Sequence, residues 1–270
     1  MTASEWTRGA AVGGAGYRIW ALVRHDLLIL RNDPSILAIL TLMPLVVVAF
    51  VKDLYRPWLL DAGVVHPTGA EQAVPGMAVM FSFFLMSTVG FTVFREHGWN
   101  TWARLRASPM SSGEIIAAKT ITPAIESSLQ LAVLFAGGYF LFGFRIQGSW
   151  MEIALMCAML IVVLESLGLA LMGLCTTVTQ LTAVANLGTM LLAALGGAIT
   201  PISTLPGWAA PLAPLSPMYW VMGGFRSIVV GDGTSALVLP IGVLAAEAVV
   251  FLGIARWRFS VGDRKAMVVA

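Results

Sequence analysis

Six apolar runs in succession constrain this chain more than any other feature. A bilayer span needs about 20 apolar residues to cross roughly 30 Å of hydrocarbon, and stretches 35–51, 73–94, 116–144, 150–178, 181–200 and 236–257 are of that kind. Only 11% of the 270 residues are charged, and the mean hydropathy is +0.86. Soluble domains are about 25% charged, so a soluble globular class is excluded. Disorder is excluded too, because it needs low hydrophobicity and high charge. The expected fold is an all-α integral membrane protein with six transmembrane helices.

The charges orient these spans. With both termini on one side, only Lys52, Arg56, Arg145 and Arg226 of the 16 basic residues fall on the other. This bias places both termini in the cytoplasm. No cleavable leader is expected, since the first apolar run begins near Ile36 and no small-residue cleavage site follows. Cys157 and Cys175 lie in one apolar run. On a helix they are roughly 27 Å apart, too far for a disulfide.

Ahead of the first span, 16–32 reads as an amphipathic helix. Ile19, Trp20, Leu22, Val23, Leu27 and Leu30 share one face, while Arg18, Arg24, His25, Arg31 and Asn32 share the other; Asp26 breaks the pattern. Such a basic amphipathic helix lies along the membrane surface, or else extends the first span. Asp33-Pro34 then suits a helix start.

Between spans two and three lies a charged island, 95–119. Trp99, Trp102 and Leu105 fall at helical spacing beside Arg104 and Arg106. Ser108-Pro109 ends that helix, and Ser111 with Glu114 forms a capping box for the next. The prediction is a short transverse cytoplasmic helix held between two membrane helices, with Lys119 snorkelling at the interface. The segment 201–233 has prolines at 201, 206, 211, 214 and 217, which forbid one continuous helix. It is nevertheless too apolar for a solvated loop, and Trp208, Tyr219 and Trp220 are interface-anchoring types. A pair of short broken helices re-entering the outer leaflet accounts for it, as does an apolar loop on the surface.

Catalytic patterns are missing. His25, His66 and His97 share no metal-ligand spacing, and Glu96-His97 is half of a zincin motif. Gly113 to Thr120 has the first glycine, lysine and threonine of a phosphate loop, but Ala118 replaces the second glycine and no strand precedes it. Three acids, Glu126, Glu165 and Glu247, fall inside spans. A charge there costs about 2.5–3.5 kcal/mol on insertion scales. They read either as functional groups, including the ion relay of a secondary transporter, or as hydrogen-bonding links between helices.

In this order the motifs resemble those of the permease subunits of type-2 ABC exporters. The resemblance is carried by Arg31-Asn32-Asp33-Pro34, by a first span containing Pro44, and by the run from Arg95 through Trp99, Arg104-Leu105 and Ser108-Pro109 to Lys119. Leu205-Pro206-Gly207-Trp208, Pro214-Leu215-Ser216-Pro217 and Gly224-Phe225-Arg226 continue it. The size and flavour are similar to the daunorubicin-resistance-type drug and natural-product exporters, although Gly98-Trp99-Asn100-Thr101 spreads out a glycine-threonine pair that the family often carries together.

The resemblance implies a single domain, 1–270, with a cytoplasmic lead-in at 1–34, six spans over 35–257 and a cytoplasmic tail at 258–270. It implies a non-enzymatic chain in the cell inner (plasma) membrane that holds no cofactor itself. Two separate ABC ATPase subunits would bind ATP and Mg, and a second permease chain would complete the pathway. Glu96, Trp99, Trp102, Arg104, Leu105 and Arg106 would form a coupling helix docking on an ATPase. The amphipathic helix with Arg18, Trp20, Arg24 and Arg31 would add a contact. Pro206, Trp208, Pro217, Tyr219 and Arg226 would belong to a re-entrant gate.

Overall fold

A computed structural model of the chain describes residues 14–61, 64 and 66–258. The described chain is helical: α1 (Ala15–Asn32), α2 (Ser35–Asp61), α3 (Ala70–Leu85), α4 (Ser87–Gly98), α5 (Trp102–Arg106), α6 (Ser112–Phe142), α7 (Trp150–Leu174), α8 (Val178–Leu195), α9 (Pro217–Val230) and α10 (Val238–Arg258). Six helical stretches are long and apolar enough to span a bilayer: α2, the pair α3–α4, α6, α7, α8, and Thr234–Arg258, which contains α10. The predicted six-span, all-α architecture is therefore observed. The helix α2 is longer than the apolar run of the first span, continuing ten residues past Val51 through Lys52, Arg56 and Pro57.

Burial sets the arrangement. Over its most apolar stretch the α3–α4 span is 83% buried, against 17% for α2 and 22% for α8 and for the last span. The second span is thus the axis of the bundle. It packs against α2, α6, α7, α8 and α9, while α10 packs along α7. Large apolar side chains on α2 (Ile36, Ile39, Phe50, Leu54) and α8 (Leu187, Leu191) point outward, as expected where the surroundings are lipid tails rather than water.

The axis is broken at Met86, whose N–H donates to the Phe83 carbonyl three residues back. Ser87, Thr88 and Thr92 donate their hydroxyls to the carbonyls of Phe84, Leu85 and Val89. Such back-bonding bends helices. The Met86 carbonyl rests on α7: a Cβ at Gly168 would lie 2.4 Å from its oxygen.

Helix starts follow local chemistry. The backbone N–H of Ser35 donates to Asp33 Oδ1 at 3.3 Å, and the Ser35 hydroxyl donates to the same oxygen; these bonds hold the Asp33 carboxyl below its usual range. The expected capping box at Ser111 and Glu114 opens α6. A second one, Ser149 with Glu152, opens α7; its S-x-x-E pattern is plain in the sequence but was not among the motifs singled out above. No disulfide bridges Cys157 and Cys175, which lie five turns apart on α7 and at its C-terminal cap.

Between α8 and α9 the proline-rich segment forms two short 3₁₀ turns, Ile202–Thr204 and Ala210–Leu215, and then a single α-helix, α9. The expected pair of broken helices thus reduces to one. Pro206, Pro211 and Pro214 confine the first half to single turns, whereas Pro217 occupies the first turn of α9, where its missing N–H costs nothing. The preceding turn is pressed onto the axis: a Cβ at Gly76 would fall 2.3 Å from the Ala198 carbonyl oxygen. Gly76→Ala should accordingly lower the thermal unfolding midpoint in detergent, by the equivalent of about 1–3 kcal/mol. Gly253→Ala, which meets nothing within 4 Å, should not; equal midpoints for the two variants would refute the contact.

Candidate functional site

Where α1, α4 and α6 meet, four ionised side chains are packed together. Lys119 of α6 is 1% exposed. Its ammonium donates to Asp26 Oδ2 at 2.9 Å and Oδ1 at 3.1 Å, and to Glu96 Oε1 at 2.7 Å. Arg95 donates to Asp26 Oδ1 at 3.2 Å. Two cations thus face two carboxylates, and the group is neutral as a whole. Thr101 donates its hydroxyl to Glu96, and its N–H donates to the Glu96 carbonyl at 2.9 Å. About two turns towards the N-terminus of α1, Arg18 pairs with Glu114 at 2.5 Å.

Two sequence expectations change here. Lys119 does not snorkel to an interface; it is enclosed, because two carboxylates reach it from neighbouring helices. Asp26, which breaks the amphipathic pattern of α1, is 2% exposed and anchors that helix to α6 and α4. α1 lies against α6, while Trp20, Arg24 and Arg31 stay exposed. The helical spacing of Lys119, Glu126 and Gln130, at i, i+7 and i+11, is the signal that would have shown one polar face on α6.

The island folds as predicted in outline, with its aromatics divided. α4 ends at Gly98, and Asn100 takes a left-handed conformation, φ 57°, favoured by few residues besides glycine and asparagine. The following helix, α5, therefore has only five residues. Trp102, at 8% exposure, is turned inward and stacks on His97 with ring centroids 4.7 Å apart. Trp99, 54% exposed, points away, with the Arg95 guanidinium 5.3 Å from its ring centroid. The two tryptophans do not share a face, because the Asn100 turn separates them. Arg104 and Arg106 are exposed, Leu105 is half-buried and Glu96 is buried. The surface that a partner can reach is thus Trp99, Arg104, Arg106 and part of Leu105.

Deeper in the bundle, Glu126 and Glu165 are buried and Glu247 is half-buried. Glu165 Oε2 and Glu247 Oε2 lack a hydrogen-bond partner among the described residues. Gln130, fully buried and not singled out from sequence, ties three helices together. It accepts from Ser82 at 2.9 Å and donates to the Leu40 carbonyl at 2.7 Å.

At the far end of the bundle, the residues assigned to the re-entrant segment gather around the end of α2. The Arg226 guanidinium lies 5.3 Å from the Trp58 ring centroid. Gln72 donates to the Gly197 carbonyl at 3.0 Å, and Tyr55 donates to the Ile199 carbonyl at 2.5 Å. A cavity of about 280 Å³ opens there, lined by Trp58, Gln72, Gly197, Tyr219, Trp220 and Arg226. Pro217 is buried in the start of α9, while Pro206 and Trp208 are exposed and lie outside this cluster.

Six spans, a short helix between the second and third of them beside a buried charge cluster, and a proline-broken segment before the last span describe the membrane part of a transporter. The ABC-2 type transporter family matches residues 17–230, from α1 to the end of α9, and the chain belongs to that family. It is a multi-pass membrane protein and a transport component rather than a catalytic one. No curated protein matches it significantly.

Removing one partner of a buried ion pair costs about 3–5 kcal/mol, because the opposite charge is left uncompensated. Lys119→Met strands both Asp26 and Glu96 and should lower the unfolding midpoint in detergent strongly. Asp26→Asn leaves Lys119 with Glu96 and should lower it less. A Lys119→Met protein as stable as the parent would show that the cluster does not hold α1 in place.

Proposed function

We propose that this chain is the permease subunit of an ATP-driven exporter, and that α5 with Trp99 is the point at which separate ATPase subunits apply work. The observation carrying this reading is the enclosed Asp26–Arg95–Glu96–Lys119 cluster directly behind an exposed Trp99–Arg104–Arg106 surface. Force on an exposed loop is lost unless the loop is tied to something stiff. Here the loop is tied to α1, α4 and α6 at once.

In this reading the termini and α5 face the cytoplasm, in accord with the placement of the basic residues, and the membrane is the cell inner (plasma) membrane. Residues 1–270 act as one domain, with residues 1–34 as lead-in and 258–270 as tail. Two ATPase subunits bind ATP and Mg and close on hydrolysable nucleotide, and this chain supplies no cofactor site. A second permease chain, identical or related, completes the path, and the bare apolar faces of α2 and α8 are available to it. The cargo is an amphiphilic drug, natural product or lipid, by likeness to the daunorubicin-resistance type. The cluster of Tyr219 and Arg226 around Trp58 and Tyr55 gates the outer exit. Glu126, Glu165 and Glu247 line or brace the interior.

The exposed residues allow a test that leaves the packing intact. Arg104→Glu with Arg106→Glu should reduce ATPase subunits co-purified with the chain by about tenfold or more, as reversing charges at a small contact does, while the amount inserted in the membrane stays unchanged. Trp99→Ala should act in the same direction. Trp102→Ala is the wrong probe, since the buried ring would disturb folding. Undiminished ATPase retention in the double charge reversal would sink the docking assignment. Transport that persists without any ATPase and collapses with the proton gradient would replace it with ion coupling.

A further inference from the structure

Three basic side chains from two segments converge at the end of the bundle opposite the Asp26–Lys119 cluster. Lys52 and Arg56 lie one turn apart on α2, and Arg145 comes from the connection between α6 and α7. With His66 and Thr68 they line an open cavity of about 430 Å³. Among the described residues, the only acid lining it is Asp53, 3.5 Å from the Lys52 ammonium, with its own side chain 75% exposed. Among the described residues, no ion pair includes Arg56 or Arg145.

The backbone holding these groups is firmly placed. Gly69 has φ 87°, and a Cβ there would fall 1.8 Å from the Lys52 carbonyl oxygen, so the turn carrying His66 and Thr68 is seated on α2 beside Lys52. The N–H and hydroxyl of Thr68 both donate to Glu71, each at 3.0 Å. His66 has φ 50°, a left-handed conformation that costs free energy in a non-glycine residue and recurs at ligand clamps. Gly143, φ 69°, ends α6 against the Thr68 methyl and delivers Arg145 to the same turn.

Gathered like charges repel unless an anion lies among them. Guanidinium forks match the paired oxygens of a phosphate. Lys52 immediately follows the apolar run of the first span, so the cavity sits at headgroup depth. An apolar groove between α6 and α7, lined by Leu131, Phe135, Ala154, Cys157 and Ile161, begins at Trp150, five residues after Arg145. We propose that Lys52, Arg56 and Arg145 form a binding site for a phosphate group, the headgroup of an amphiphile or a free anion. The site is independent of the docking surface and of whichever cargo the chain exports.

The test uses the full chain in neutral detergent and short-chain phosphatidylglycerol, with bound lipid counted by native mass spectrometry. Arg56→Gln with Arg145→Gln should weaken binding about a hundredfold, since each lost charge-assisted contact is worth about tenfold or more. Arg256→Gln, an exposed cation of α10 outside the cavity, should leave it unchanged. Arg56→Lys with Arg145→Lys keeps charge and loses the fork, and should weaken binding about tenfold. Asp53→Asn removes the competing acid and should tighten binding severalfold, so a poorly folding double variant still leaves the idea exposed to refutation. Displacement by millimolar inorganic phosphate identifies a free-anion site, and resistance to it identifies a lipid headgroup. Equal binding by parent and Arg56→Gln/Arg145→Gln, or equal binding of phosphatidylglycerol and an uncharged glycolipid, overturns the proposal.

Discussion

The ammonium of Lys119 has no route to water, and the packing of one end of the molecule depends on that fact. Burying a single ion is costly, and the cost is tolerable only when opposite charges and hydrogen bonds surround it. Asp26 and Glu96 meet that demand, but they sit on α1 and α4. Satisfying one side chain therefore fixes two other helices, one of which lies outside the spans. Arg95 balances the second carboxylate, and Thr101 completes the coordination of Glu96. An apolar contact would permit the surface helix to slide. A charge cluster with directional hydrogen bonds does not, because a shift of a few ångströms leaves an ion bare.

The rest of the architecture follows from the bilayer as a solvent. Apolar side chains gain little by hiding from lipid, so α2 and α8 can stay largely unpacked while the second span is enclosed. Close approach then comes from small residues. Gly76, Gly90 and Gly168 each face an atom that a Cβ would strike within 2.4 Å. Polar links such as Ser82–Gln130–Leu40 add direction to that packing.

Much of this is legible in the sequence, and the limits have physical causes. Span number and class follow from run length and composition, which act locally. The capping box at Ser111, the stop at Ser108-Pro109 and the barrier set by the prolines are local as well. Which helix sits at the centre is not local: 73–94 is no more apolar than 236–257 to the eye, and its glycines matter only for what faces them. The role of Lys119 escaped because its partners lie 93 and 23 residues away, and a lysine near a span end ordinarily reaches for the interface. Trp99 and Trp102 have the spacing of one helix, yet a single left-handed asparagine divides them. Asp26 was visible as an irregularity, and irregularities of this kind mark the contacts that periodicity cannot describe.

The break at Met86 has a mechanical meaning. The central span consists of two rods joined end to end, and the joint is braced by Gly168 of α7. The lower rod belongs to the charge cluster and the upper rod to the turn at Ala198. If α5 receives the work of ATPase subunits, as proposed above, this joint would let a push at that end become a tilt instead of a rigid shift of the axis. Such a linkage trades distance for direction, and α7, whose Gly168 meets the joint and whose Leu169, Ala170 and Met172 pack in one apolar cluster with Phe94 and Trp102, would be its fulcrum.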